Sequence, residues 1–216
     1  DDGVLAKNGR GHTFADTRRA SALIRERGFS LGLQMMTGLP GDSDESCVES
    51  ARRIIALEPD GARIYPTVIV RDTALYDLWR AGLYAEHTVE DAVRVCARIA
   101  PLFAAAGIPV IRLGLNPTDE LSGGAAAGGA YHPALGELVK SRIMYERARA
   151  LLAGTAAGSR VVLGVNRAKI SQMTGQHRQN ITRLCADFGL AGLKICPADA
   201  ENDEILLISV EKKPEI

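Results

Sequence analysis

Four segments in the first 70 residues alternate between helical and extended patterning, and that alternation restricts the chain to sheets built from parallel strands. From Asp16 to Arg27 the apolar residues Ala20, Leu23 and Ile24 recur at helical spacing, and Gly28 supplies a stop. Phe29 to Met36 is a short apolar run that enters the tight segment Thr37-Gly38-Leu39-Pro40-Gly41, the signature of a buried strand followed by a loop. Asp42 or Ser43 then caps a helix to about Leu57, with Asp44 and Glu45 in its first turn where the helix dipole favours anions. Pro59-Asp60-Gly61 breaks that helix, and Arg63 to Val70 reads as the next strand. Strands separated by single helices pair in parallel through right-handed crossovers.

Farther along, Ala74 to Ala81 and Val89 to Ala106 read as helices closed by Gly82 and Gly107, and Pro109 to Leu115 as a strand. Ser122 to Gly129 holds only Ser, Gly and Ala, with no side chain large enough to pack a core, which predicts a mobile loop or linker. Pro133 opens a long helix ending near Ala153, and a second small-residue connector, 154–159, introduces a separate module. The expected divisions are 1–66, 67–153 with its Gly/Ala-rich stretch at 122–130, and 160–211.

Composition removes several classes. A chain of 216 residues that is 46% hydrophobic buries an ordinary globular core, and no apolar run reaches the roughly 18 residues of a membrane span. Cys47, Cys96, Cys185 and Cys196 form no closely spaced pair or triplet, so the expectation is four buried thiols, no metal site and a reducing, cytoplasmic setting. The N-terminus has no leader pattern and no initiator Met, and the chain reads as a piece of a longer protein. Net charge is zero, yet residues 160–196 carry six basic residues against Asp187 alone, while acidic residues dominate from 197 onward. A local basic surface follows from this.

In parallel sheets the working atoms gather at the carboxyl ends of the strands, where the Gly38-Leu39-Pro40-Gly41-Asp42 corner falls. Two glycines permit close approach of a ligand to main chain, and proline stiffens the turn. Alone, such a corner suits a purely structural turn equally well.

Read in order, Arg10-Gly11-His12-Thr13, Gly32 to Asp42, Arg63 to Pro66, Thr73 to Trp79, Ile111 to Leu115 and Tyr131 to Arg142 resemble the second half of a radical S-adenosylmethionine enzyme, nearest to bacterial proteins related to the Elongator catalytic subunit. The resemblance covers roughly residues 1–150. It implies an α/β fold that is the second half of a partial (β/α)6 barrel with an α/β C-terminal extension, in a parent that uses S-adenosylmethionine and a [4Fe-4S] cluster to generate a 5′-deoxyadenosyl radical. The family's three-cysteine loop is not in this sequence, so the chain alone is expected to bind neither cofactor tightly and to be inactive; its catalytic residues stay unassigned. By the resemblance, Gln34, Gly38, Leu39, Pro40 and Gly41 lie near the cofactor, Ile64, Tyr65 and Pro66 flank its adenine, and Arg10 and His12 face its polar groups. His12 serves equally as a helix-start residue and Arg10 as a solvated loop charge.

Residues 160–210 read strand, helix, helix, strand, strand, an order similar to a minimal KH domain, a reader of single-stranded nucleic acid. The KH G-x-x-G turn is here Gly175-Gln176-His177-Arg178, with arginine in place of the second glycine. Arg167, Lys169, Gly175, His177, Arg178, Asn180 and Arg183 are the candidate RNA surface, whose alternative is a solvated helix face. Two functions follow: a radical enzyme acting on the tRNA wobble uridine, completed by a missing N-terminal barrel half, or a non-catalytic module that docks tRNA through its basic C-terminal domain. No membrane partner is expected.

Overall fold

The computed structural model describes residues 1–211, which divide into two compact units, Asp1–Gly136 and the chain from Glu137 on. The first unit opens with α1 (Asp2–Lys7) and α2 (Phe14–Glu26) and continues through β1 (Gly32–Thr37), α3 (Asp44–Ile55), β2 (Gly61–Pro66), β3 (Val68–Val70), α4 (Ala74–Arg80), α5 (Val89–Ala105), β4 (Val110–Leu113) and β5 (Ala126–Gly129). Capping residues set the helix starts. The hydroxyls of Thr13, Ser43 and Thr88 each accept from the third residue of α2, α3 and α5, whose side chains return the bond in three capping boxes.

The expected parallel sheet is present, in the order β1-β2-β4, with Gly32 opposite Gly61 and Thr37 opposite Pro66. Helices α3 and α5 pack against it. Leu31, Met35, Ala62, Ile64, Cys96, Ile99 and Phe103 are buried, and burying the large apolar side chains among them contributes about 1.5–3 kcal/mol each. Alternation sends Gln34, Met36, Arg63 and Tyr65 to the opposite face.

Two elements differ from the sequence reading. The run 63–70 is two strands, because at Thr67 the chain turns out of one sheet into another: the Thr67 amide donates to the Thr37 carbonyl at 2.9 Å, and its own carbonyl accepts from Ala130 at 3.0 Å. The small-residue stretch 122–130 is no mobile linker. Leu121–Ala125 forms a π-type turn, and β5 pairs antiparallel with β3, placing Gly129 opposite Val68. Missing side chains allow this approach, since a Cβ on Gly129, whose φ is +83°, would lie 2.8 Å from the Thr67 carbonyl oxygen.

The second unit holds most of α6 (Leu135–Leu151), then β6 (Arg160–Val165), a 3-10 turn (Arg167–Lys169), α7 (Ile170–Thr174), α8 (Gln179–Phe188), β7 (Gly192–Pro197) and β8 (Ile205–Glu211). Its sheet runs β7-β6-β8, with β6 parallel to β7 and antiparallel to β8. Met144, Tyr145, Ala148 and Leu152 of α6 join Val161, Leu163, Met173 and Leu184 in one core.

Candidate functional site

The corner after β1 sits at the carboxyl rim of the parallel sheet. Gly38 and Gly41 have φ of +73° and +85°, values that favour glycine, and the Asp42 amide closes the turn on the Leu39 carbonyl at 2.8 Å. Side chains grip it from two directions. The Asn8 amide nitrogen donates to the Pro40 carbonyl at 2.9 Å, and the Tyr84 hydroxyl donates to the Gly38 carbonyl at 2.6 Å. His87 Nε2 lies 3.1 Å from the Thr37 hydroxyl, and the imidazole packs so closely on Gly38 that a Cβ there would clash with the ring's Cγ and Cδ2. Asp42 accepts from the Ser43 amide at 2.9 Å, from the Ser46 hydroxyl, and from the Cys47 thiol at 3.0 Å.

A cleft of about 280 Å³ runs along the unpaired edge of β1 beside this corner, lined among others by Arg10, His12, Gln34, Met36, Leu39 and Asp42. Arg10 reaches the Met36 sulfur at 3.2 Å, and His12 Nδ1 is 2.9 Å from the Arg10 carbonyl, which requires the proton on Nδ1. Four of the expected cofactor residues, Arg10, His12, Gln34 and Leu39, therefore share one cleft, with Gly38, Pro40 and Gly41 forming the adjoining turn. Ile64, Tyr65 and Pro66 do not line it. Ile64 is fully buried on the helix-covered face, opposite Met35, so its side chain is unavailable to a ligand; Pro66 is buried too, and Tyr65 is half-buried.

Electrostatics around the corner favour neutral groups. Burial holds His87 below the ordinary imidazole range against the pull of Asp91 and Asp42. Burial pushes the Cys47 thiol far up, helped by Asp42, and pushes Cys96 up to about 12. These thiols are the opposite of metal-ready thiolates. Cys185 and Cys196 are only partly buried, unlike the expectation for all four. Among the described residues no cluster of His, Cys, Asp and Glu is placed to hold a metal ion.

In the second unit the candidate RNA residues separate. His177 and Arg178 are exposed in the turn between α7 and α8, both with left-handed backbone, φ +48° and +61°, and Gly175 precedes them at φ +74°. Arg167 is exposed, whereas Lys169 pairs with Asp203 at 2.7 Å. Arg183 stacks on the Tyr145 ring, 4.7 Å from its centroid. Asn180 is not a surface residue: it is 3% exposed, and its amide nitrogen donates to the Ser141 carbonyl and hydroxyl, both at 3.0 Å, and to the carbonyls of Gln172 and Met173. At the first turn of α8 it ties that helix to α6 and α7, a role its helix-start position alone does not reveal.

Sequence reasoning passed over Asn8, Tyr84 and His87 as supports of the corner. Gly82 marks the end of a helix before Tyr84, but nothing local connects a loop residue to a carbonyl 46 positions earlier.

Fold and corner together define an α/β protein whose Gly38–Asp42 turn follows a parallel strand. Residues 59–145 match the Radical_SAM C-terminal domain. Curated relatives include Elongator complex protein 3 of Homo sapiens, 34% identical over 102 residues (46% of this chain and 19% of that protein). Others are the tRNA uridine(34) acetyltransferase of Methanocaldococcus jannaschii, 32% identical over 89 residues (40% and 16%), and Protein YhcC of Escherichia coli, 31% identical over 90 residues (42% and 29%). Over these stretches the chain is thus similar to Elongator-related proteins and to the Radical_SAM C-terminal domain; the matches span 16% to 29% of the lengths of these three relatives. Tyr84 and His87 lie within the matched domain and reach back to residues 37 and 38, which precede it.

Proposed function

We propose that residues 1–66 form the distal half of a partial (β/α)6 barrel, that 67–153 are its C-terminal extension, and that the parent protein is a radical enzyme acting on the wobble uridine of tRNA. The observation that carries this reading is the Gly38–Asp42 turn at the carboxyl rim of a parallel sheet, beside a cleft shared by Arg10, His12, Gln34 and Leu39. When bound, S-adenosylmethionine with its [4Fe-4S] cluster supplies the radical chemistry, and the cluster ligands belong to polypeptide outside this chain. The residues present here bind and orient. Gly38 and Gly41 let the corner take its left-handed turn beneath His87 and Lys7, Gln34 and Arg10 offer donors to the polar groups of a nucleoside in the cleft, and Asn8, Tyr84 and His87 fix the turn. Gln34→Ala and Arg10→Ala in the parent protein test this by equilibrium binding of S-adenosylmethionine. The expected result is weaker cofactor binding with unchanged tRNA affinity; unaltered cofactor affinity in both variants overturns the reading.

The second unit favours a complementary role as a KH-like RNA contact, supported by its β-α-α-β-β order and by the Gly175–Arg178 turn, whose residues 176–178 are exposed. Backbone phosphates meet Arg178, His177 and Arg167 there, while Lys169 and Arg183 are engaged within the protein. Arg178→Glu and Arg167→Glu are expected to weaken tRNA binding by this chain and to flatten its salt dependence. Unchanged affinity and slope remove this second reading.

A further inference from the structure

The register of the parallel sheet places Gln34 opposite Arg63 and, just past an irregularity in the β2–β4 pairing at Ala62/Arg63, Arg63 opposite Arg112, so that the three residues lie in a row across β1, β2 and β4. Their neighbours in sequence, Met35, Ile64 and Leu113, belong to the helix-covered face, which puts the row on the face that α3 and α5 leave open. Adjacent strands lie about 4.8 Å apart, close enough for both guanidinium groups to meet one tetrahedral anion. Arg63 is exposed and Arg112 half-buried, and neither has an ion-pair or hydrogen-bond partner among the described residues. Most other arginines of this unit are engaged: Arg19, Arg25, Arg52, Arg53, Arg94 and Arg98 all face carboxylates. Like charges directly opposite one another destabilise a sheet. An unneutralised pair on neighbouring strands is therefore a standing electrostatic cost that a bound anion removes.

We propose that Arg63 and Arg112, with Gln34 beside them, form a phosphate-binding site on the open sheet face. Two cross-strand guanidinium forks match a phosphate oxyanion better than a planar carboxylate, and the amide of Gln34 adds a neutral donor at the end of the row nearest the cleft. The phosphate comes either from free inorganic or small-molecule phosphate or from an RNA backbone; the RNA source rests on the tRNA reading above, and the site itself does not.

Thermal unfolding of the whole chain in sodium phosphate and in sodium chloride at matched ionic strength tests the site directly. Phosphate is expected to raise Tm of the wild-type protein by about 2–4 °C at saturating concentration, and the Arg63→Gln/Arg112→Gln variant to lose that shift. In chloride the variant is expected to be as stable as the wild type or more so, because the repulsion is gone; this keeps the test independent of misfolding. Equal phosphate responses in the two proteins overturn the proposal. A second arm titrates a labelled anticodon stem–loop RNA. A weaker, less salt-sensitive complex for the double variant identifies RNA as the phosphate source, and unchanged RNA affinity beside a lost phosphate shift keeps the site while removing RNA from it.

Discussion

Tyr84 donates its hydroxyl proton to the carbonyl oxygen of Gly38 across 2.6 Å, and so a loop residue between α4 and α5 holds the corner that follows β1. With His87 packed on Gly38, and Asn8 bonded to Pro40 from another direction, the corner is braced on two sides. The cleft residue Leu39 lies between the two braced carbonyls, those of Gly38 and Pro40.

Removing the hydroxyl alone, as in Tyr84→Phe, is expected to cost about 1 kcal/mol and to speed amide exchange at residues 38–42 about 3- to 10-fold. Hydrogen exchange followed by mass spectrometry checks it. Acceleration spread evenly over β1 and β2 would mean that Tyr84 supports the sheet rather than the corner.

Gly38→Ala meets two obstacles, a left-handed φ of +73° and the His87 ring. The expected destabilisation is of order 2–4 kcal/mol, read from urea unfolding. Combining it with His87→Ala removes the ring clash but leaves the His87 Cβ 2.6 Å from the added methyl, so it should recover only part of the steric share and none of the backbone share, and the double-mutant cycle is expected to be non-additive.

His87 makes stability depend on pH. Its folded pKa lies below the ordinary 6.5, so the unfolded chain takes up a proton first as pH falls. Stability is expected to be full above about pH 6.5 and to decline as the pH drops below it, levelling once the folded imidazole is also protonated. In His87→Gln this portion of the pH profile should be absent; an identical profile in the variant would show that other groups govern the acid limb.

In the second unit, Asn180→Ala leaves buried carbonyls of Ser141, Gln172 and Met173 short of a donor and is expected to cost about 2–3 kcal/mol. RNA affinity per folded molecule should be unaltered, because Asn180 is buried. Selective loss of RNA binding at unchanged Tm would contradict this structural role.

Much of this protein was legible from local patterning. Helical apolar spacing, capping residues and Gly or Pro stops fix most of the helices and the strands of the parallel sheet within a few residues, because those signals act over one or two turns of chain; α1 and β5 carried no such signal. The strand–corner–helix sequence around Gly38 likewise announces a turn at a strand end. Three matters were settled only by tertiary structure. Whether 122–130 is loose or paired depends on β3 presenting an edge to it, and small side chains permit either state. Whether Asn180 serves RNA or the core depends on where α6 lies, since the same amide donates as readily to a carbonyl as to a phosphate. The alignment of Gln34, Arg63 and Arg112, like the reach of Tyr84 to Gly38, arises from register and packing between distant segments, and no local sequence pattern encodes such a juxtaposition.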